Sequence, residues 1–182
     1  MSRWFYRFRA YLAAPPLVFA FFCTFDRTDM GYVLWPVGIG LVLVGMAIRI
    51  WSQQHVRYRM KVARDLTTSG PYSFVRNPVY IANMVIWSGA VVASGLLWFT
   101  PIALVYWLGV YCVVVRHEES RLLEKYGEAY RQYVADVPRW FPRLGRLADL
   151  EMVNKYFVKA VAVEIHCPLI LVPYVLKDFM LS

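Results

Sequence analysis

The chain reads as an all-α integral membrane helical bundle, built around a helix-turn-helix hairpin that gathers two polar motifs on the cytoplasmic side. Three observations predict this. Of the 182 residues, 59% are hydrophobic and 18% charged, with mean hydropathy +0.43; a soluble domain averages about 45–50% apolar and about 25% charged. The apolar excess is gathered in segments rather than spread over a core. Finally, the 37 residues from Val79 to Val115 contain no Asp, Glu, Lys, Arg or His. As one helix they would run roughly 55 Å at about 1.5 Å per residue, nearly twice a hydrocarbon core of about 30 Å. The run must fold back and return the chain to the side it left.

Each element follows in order within a single domain, 1–182. A first span is expected over 10–25, after Arg3, Arg7 and Arg9. We expect it to be retained, because Pro15-Pro16 and Phe25-Asp26-Arg27 do not resemble a signal-peptide core and cleavage site. The two prolines bend or delay its helix. The acidic turn Asp26-Arg27-Thr28-Asp29 leads to a second span over 30–50, in which Gly38, Gly40 and Gly45 read as close helix contacts. Arg49, Arg57, Arg59, Lys61 and Arg64 follow. With the basic amino-terminus they place both segments in the cytoplasm. The alternation from His55 to Arg64 suits a strand or a helix continuing out of the span, and the helix is favoured because a strand edge there would be unpaired.

The transmembrane hairpin covers 78–116. Pro78 suits a first helical turn, Gly95 lies in the outer turn, and Thr100-Pro101 reads as a cap followed by proline at the first helical position. The segment 117–142 is charged and cytoplasmic. Glu119, Leu123, Tyr126, Tyr130 and Tyr133 recur at three and four residues and are predicted to share a helix face. Gly127 weakens that helix by up to about 1 kcal/mol relative to Ala, and Pro138 and Pro142 end it. The stretch 151–179 is expected to be a membrane-associated carboxy-terminal helical segment. Lys159, Glu164 and His166 make it costly as a lone span, which favours packing at or into the membrane surface.

Net charge is +8, but the basic residues flank apolar segments, so they point to a membrane surface rather than to nucleic acid. Cys23, Cys112 and Cys167 are widely spaced in apolar surroundings and read as small buried hydrophobes. Neither they nor His55, His117 and His166 have metal-ligand spacing, so no metal is expected. Ser69, Ser73 and Ser120 form no nucleophile-base arrangement.

Arg76, His117, Glu118 and Glu119 lie at the mouths of the two hairpin arms, where Arg76 can approach Glu118 or Glu119. One reading is an ion-pair network that stabilises the hairpin. The other is a ligand site, with Arg76 holding a carboxylate bidentately and Glu118 or Glu119 receiving an ammonium or lying near a sulfonium. Tyr72, Tyr80, Tyr126 and Tyr130 offer flat faces for a planar base. Asn77, before Pro78, either shows its amide to a ligand or closes the turn. A non-enzymatic membrane interaction protein, using the Tyr126/Tyr130/Tyr133 face to dock a partner, is the alternative from another class.

Gly70-Pro-Tyr72, Arg76-Asn-Pro-Val-Tyr80, Glu118-Glu119 and the run from Leu123 through Tyr126-Gly-Glu-Ala-Tyr130 to Pro138 resemble the isoprenylcysteine carboxyl methyltransferase family and related membrane phospholipid methyltransferases. The likeness covers about 40–142. It departs at Arg76-Asn-Pro, where that broad family has Arg-His-Pro; Asn77 keeps a polar contact without a comparable proton acceptor. The resemblance implies cytoplasmic cofactor-binding motifs that hold S-adenosyl-L-methionine, with Tyr72, Arg76, Asn77, Tyr80, His117, Glu118 and Glu119 around it and Tyr126, Tyr130 and Pro138 closing it. Arg76 and Glu119 are the candidate catalytic pair. The implied activity is methyl transfer to a lipophilic membrane-associated acceptor: a prenylcysteine carboxylate, a phospholipid amine or a lipophilic thiol. Membrane lipids are the expected partners, without an obligate protein partner, and the location is the cytoplasmic membrane.

Overall fold

The computed structural model describes residues 2–56, 66–143 and 152–181. The expected continuation beyond His55-Val56 lies largely outside them. The described residues are helical throughout, without strand: α1 (Ser2–Arg7), α2 (Arg9–Ala13), α3 (Pro15–Phe22), α4 (Gly31–Val56), α5 (Pro78–Ala93), α6 (Thr100–Tyr126), α7 (Glu128–Asp136), α8 (Phe157–Glu164) and α9 (Val172–Leu181). Short 3₁₀ turns at Gly70–Ser73, Leu97–Phe99 and Cys167–Leu171 join several of them.

By length and composition, three helical stretches can cross a bilayer: Gly31–Val56, Leu97–Tyr126 and Phe157–Leu181. Arg9–Phe22 and Pro78–Ala93 are apolar but shorter. Exposed side chains such as Val37, Val44, Ile102 and Val105 give α4 and α6 an outward face suited to lipid. The carboxy-terminal stretch was expected to lie at the surface, yet it is long enough to span. Its costly Glu164 does not stand alone: both carboxylate oxygens meet Arg49 of α4, at 2.7 and 3.1 Å.

The closest helix pair is α4 with α5, rather than the two arms of the expected hairpin. Glycine permits it. A Cβ at Gly38 would stand 2.6 Å from the Gly89 carbonyl oxygen, and one at Gly45 would stand 2.5 Å from Ile86 Cγ1. Backbones can approach this closely only where no side chain intervenes. A Cβ at Gly40 would meet nothing within 4 Å, so this glycine takes no part. The α5–α6 turn is made by Gly95 with φ +83, as expected for a left-handed position. As expected of a bend, α2 ends at Ala13 and Pro15 and Pro16 start α3, and Pro101 sits in the first turn of α6. Thr100 is already helical and makes no side-chain cap; its hydroxyl donates to the Leu96 carbonyl at 3.4 Å.

The amino-terminal helices lie along α6. The Trp107 indole, fully buried, donates to the Ala13 carbonyl at 2.9 Å, and the Tyr106 hydroxyl donates to Leu12 at 2.8 Å. At the end remote from Arg76, Lys177 of α9 donates to the Ala20 carbonyl at 2.7 Å, Tyr174 donates to Leu17 at 2.9 Å, and Asp178 pairs with Arg27 and Trp35. Helix α3 and the turn after it are thereby fastened to α9.

Candidate functional site

The ends of α4, α5 and α6 nearest Arg76 surround a cavity of about 640 Å³. A small-molecule site typically occupies about 300–1,000 Å³. Its wall combines Tyr6 and Arg9 from the amino-terminus, Arg49 and Gln53 from α4, Tyr72 to Asn83 in part, and Glu118 to Tyr133 in part. Two sequence motifs forty residues apart meet here because the chain returns through α6.

Main-chain bonds lock the second motif onto the first. Arg76 N donates to the Pro138 carbonyl at 2.9 Å and Arg143 N donates to Phe74 at 3.0 Å. The Asn77 amide donates to the Arg139 carbonyl at 3.3 Å, a further tie between the two motifs. The Tyr133 hydroxyl donates to the Tyr72 carbonyl at 2.8 Å. Helix α6 stops at Gly127, whose φ of +53 breaks the tyrosine face into two pieces. Tyr130 and Tyr133 of α7 are buried with Val137 against Leu66 and Leu122. Leu123, expected on the same face, is exposed instead.

The charged core of the site is a bridge. Glu119 accepts from Arg139 Nε at 3.1 Å and pairs with Arg76 Nη1 at 3.2 Å. The predicted approach of Arg76 to Glu119 is therefore made, but Glu119 is committed to two arginines. Glu118 accepts a 2.7 Å bond from the Tyr80 hydroxyl. Arg76 keeps a buried Nε without a partner, and Gln53 keeps a buried Oε1 without one. Glu119 holds the Arg139 guanidinium pKa above its ordinary value. Burial, and then the negative field of Glu118, pushes the Tyr72 phenol well up. Tyr130 rises to about 12, from burial first and Glu119 second. Burial also lifts Tyr133. These phenols are neutral hydrogen-bond donors at neutral pH.

Of the expected residues, Tyr72, Arg76, Asn77, Tyr80, Glu118, Glu119, Tyr126 and Tyr130 line the cavity. His117 and Pro138 do not. The His117 ring lies 5.6 Å from that of Tyr6, and Pro138 offers its carbonyl to Arg76. Sequence reasoning missed Tyr6 and Arg9, whose guanidinium lies over the Tyr6 ring at 4.4 Å, and it missed Arg49, Gln53 and Asn83. A polar run closing an apolar span, Ser52-Gln53-Gln54-His55, was the available signal. Next to the cavity, Arg49 donates to Asn83, and the Asn83 amide donates to the Tyr111 hydroxyl at 2.9 Å. Glu164, His166 and Cys167 bring three possible metal-ligand atoms within 4.8 Å of one another. The carboxylate of that trio is the one held by Arg49.

Bundle and cleft together define an all-helical membrane protein with a cavity of mixed charged, polar and aromatic lining at one end of its helices. Residues 30–129, more than half of the chain, match the model of the family described as phospholipid methyltransferase. The chain belongs to that family. It is 32% identical over 110 residues to the cobalt-zinc-cadmium resistance protein CzcN of Cupriavidus metallidurans, covering 59% of this chain and 47% of that protein. It is also 32% identical over 121 residues to the nickel-cobalt-cadmium resistance protein NccN of Alcaligenes xylosoxydans xylosoxydans, covering 65% and 54%. The chain thus spans about half the length of the curated relatives it matches. No solved structure matches it.

Proposed function

We propose that this protein transfers a methyl group from S-adenosyl-L-methionine to a lipophilic acceptor delivered from the membrane, at a site on the cytoplasmic side. Family membership supports the reaction class. The observation that carries the site assignment is the unpartnered Nε of Arg76 in a cavity of about 640 Å³ walled by Tyr72, Tyr126, Tyr130 and Tyr133. A buried guanidinium N–H without an acceptor fits a ligand carboxylate, and the phenol rings fit a planar base. On those two grounds the residues present suit this cofactor.

When bound, the cofactor supplies an activated methyl group on a positive sulfonium. The remaining tasks belong to the chain. Arg76 anchors and orients, while Glu119 and Arg139 hold Arg76 in place. Glu119 is thereby a positioning residue. Neutral Tyr72, Tyr130 and Tyr133 line the cavity without adding negative charge. Glu118 accepts from Tyr80 and Glu119 is held by Arg76 and Arg139, so neither of these two expected acids stands free as a general base. That favours an acceptor already nucleophilic at neutral pH, such as the carboxylate of a prenylated cysteine. Alignment of bound groups by a fixed wall contributes several kcal/mol to such a displacement.

Methyl incorporation from labelled S-adenosyl-L-methionine into matched carboxylate, amine and thiol acceptors, each with and without a long apolar tail, tests this reading. The tailed carboxylate is expected to show the highest kcat/KM. Equal or greater kcat/KM for tailless acceptors would refute membrane delivery, and absence of cofactor binding by the folded protein would refute the reaction class.

A further inference from the structure

Helix α4 ends in four consecutive buried polar residues, an expensive way to finish an apolar span. Three are explained by the fold. The Ser52 hydroxyl donates to the Ile48 carbonyl at 2.7 Å. The Gln54 amide donates to Met152 at 2.6 Å, and its oxygen accepts from Asn154 N at 3.0 Å. His55 Nδ1 lies 3.1 Å from Ser69 Oγ, and its ring fills the space that a side chain at Gly70 would need.

Gln53 is different. It is 2% exposed, it lines the cavity, and its Oε1 has no partner. A buried carbonyl of this kind is a standing penalty on the empty protein. Glu118 and Glu119 do not share its condition, since Glu119 is held by Arg76 and Arg139 and Glu118 by Tyr80. The other buried atom left over in the cavity is a donor, Arg76 Nε. One spare acceptor and one spare donor in one cavity are complementary to a ligand that carries both an N–H and an oxyanion.

We propose that Gln53 is a ligand-contacting residue whose side-chain carbonyl accepts a hydrogen bond from an N–H of the molecule filling the cavity. The inference rests on the methyltransferase reading and deepens it. The role expected of Glu118 or Glu119, receiving an ammonium, passes to a neutral residue from a different helix. The N–H belongs either to the cofactor's amino-acid end or to an amine on the acceptor, and both present the same chemistry to Gln53.

The test uses the full chain in detergent, with Gln53→Met to remove the acceptor at similar volume and Gln53→Glu to keep an oxygen there. Three quantities are read: the melting temperature without ligand, the Kd for S-adenosyl-L-methionine by calorimetry, and the acceptor KM. Gln53→Met is expected to melt at or above the wild-type temperature, because an unsatisfied buried group has gone. Its cofactor Kd should weaken about tenfold or more, and Gln53→Glu should recover most of that loss. A cofactor analogue lacking the α-amino group should bind wild type and Gln53→Met alike. An unchanged cofactor Kd with an acceptor KM raised about tenfold assigns the N–H to the acceptor and also supports the proposal. Wild-type Kd and KM in Gln53→Met overturn it while leaving the methyltransferase reading intact. A Gln53→Met protein that melts lower or fails to fold makes Gln53 structural and overturns it too. Failure of wild type to bind the cofactor removes the methyltransferase reading first, and this proposal with it.

Discussion

Replacing Arg76 by Ala separates a ligand anchor from a structural ion pair. The side chain is 11% exposed, with Nη1 on Glu119 at 3.2 Å and a buried Nε lacking a partner. Loss of the Glu119 contact costs the fold little, because Glu119 retains Arg139. Discounted for partial solvent screening, that cost is about 1 kcal/mol. Loss of a charge-assisted hydrogen bond to a ligand carboxylate removes about 1.5–3 kcal/mol of binding, or roughly 10- to 150-fold in Kd. Titration calorimetry with S-adenosyl-L-methionine, run on folded protein in detergent, reads the effect directly. Cys112→Ala is the control, a half-buried thiol outside the cavity wall. A folded Arg76→Ala protein that binds as tightly as Cys112→Ala would refute the assignment. Unfolding of Arg76→Ala under conditions where Cys112→Ala is folded would instead mark Arg76 as part of a structural network.

Other outcomes follow from the same geometry. Gly45→Leu should destabilise by about 1–3 kcal/mol in detergent melts, since a Cβ there meets Ile86 Cγ1 at 2.5 Å, whereas Gly40→Ala, with open space around it, should be neutral or stabilising by up to about 1 kcal/mol. Arg49→Met should cost about 3–5 kcal/mol by stranding Glu164, and adding Glu164→Leu should restore much of it; a double variant no better than the single would contradict the pairing. The raised phenol of Tyr130 makes stability full below pH 10, its ordinary value, and declining from there to about pH 12 as the folded form is forced to ionise. Tyr130→Phe should make the alkaline decline measurably shallower, and an identical profile would contradict the burial argument.

What the sequence announced was what chain length and polarity force. A charge-free run too long for one crossing must turn, and its turn brings Arg76 to Glu119. The proline and glycine positions marked Pro78 and Gly95 as helix start and turn for local steric reasons. Contacts resting on three-dimensional packing were not legible. Periodicity puts Leu123 and Tyr130 on one face, but the φ of Gly127 rotates the second helix away. Gln53 carries no periodic signal, because a polar residue at the end of a span looks like an interfacial residue. The tail looked too charged to cross because its counter-charge, Arg49, lies 115 residues upstream.

That separation has a consequence for biogenesis. Helix α4 leaves the ribosome carrying Arg49, and among the described contacts the earlier partner is Asn83, a neutral amide. An arginine within an apolar crossing helix is costly until it is neutralised. The neutralising carboxylate is synthesised only with α8. An α4–α5 pair without α8 would hold an unbalanced charge beside the cavity, which the last helices neutralise. Translation arrested before Glu164 is therefore expected to leave an early bundle that is membrane-inserted yet readily extracted, and extraction as resistant as that of the full chain would contradict this.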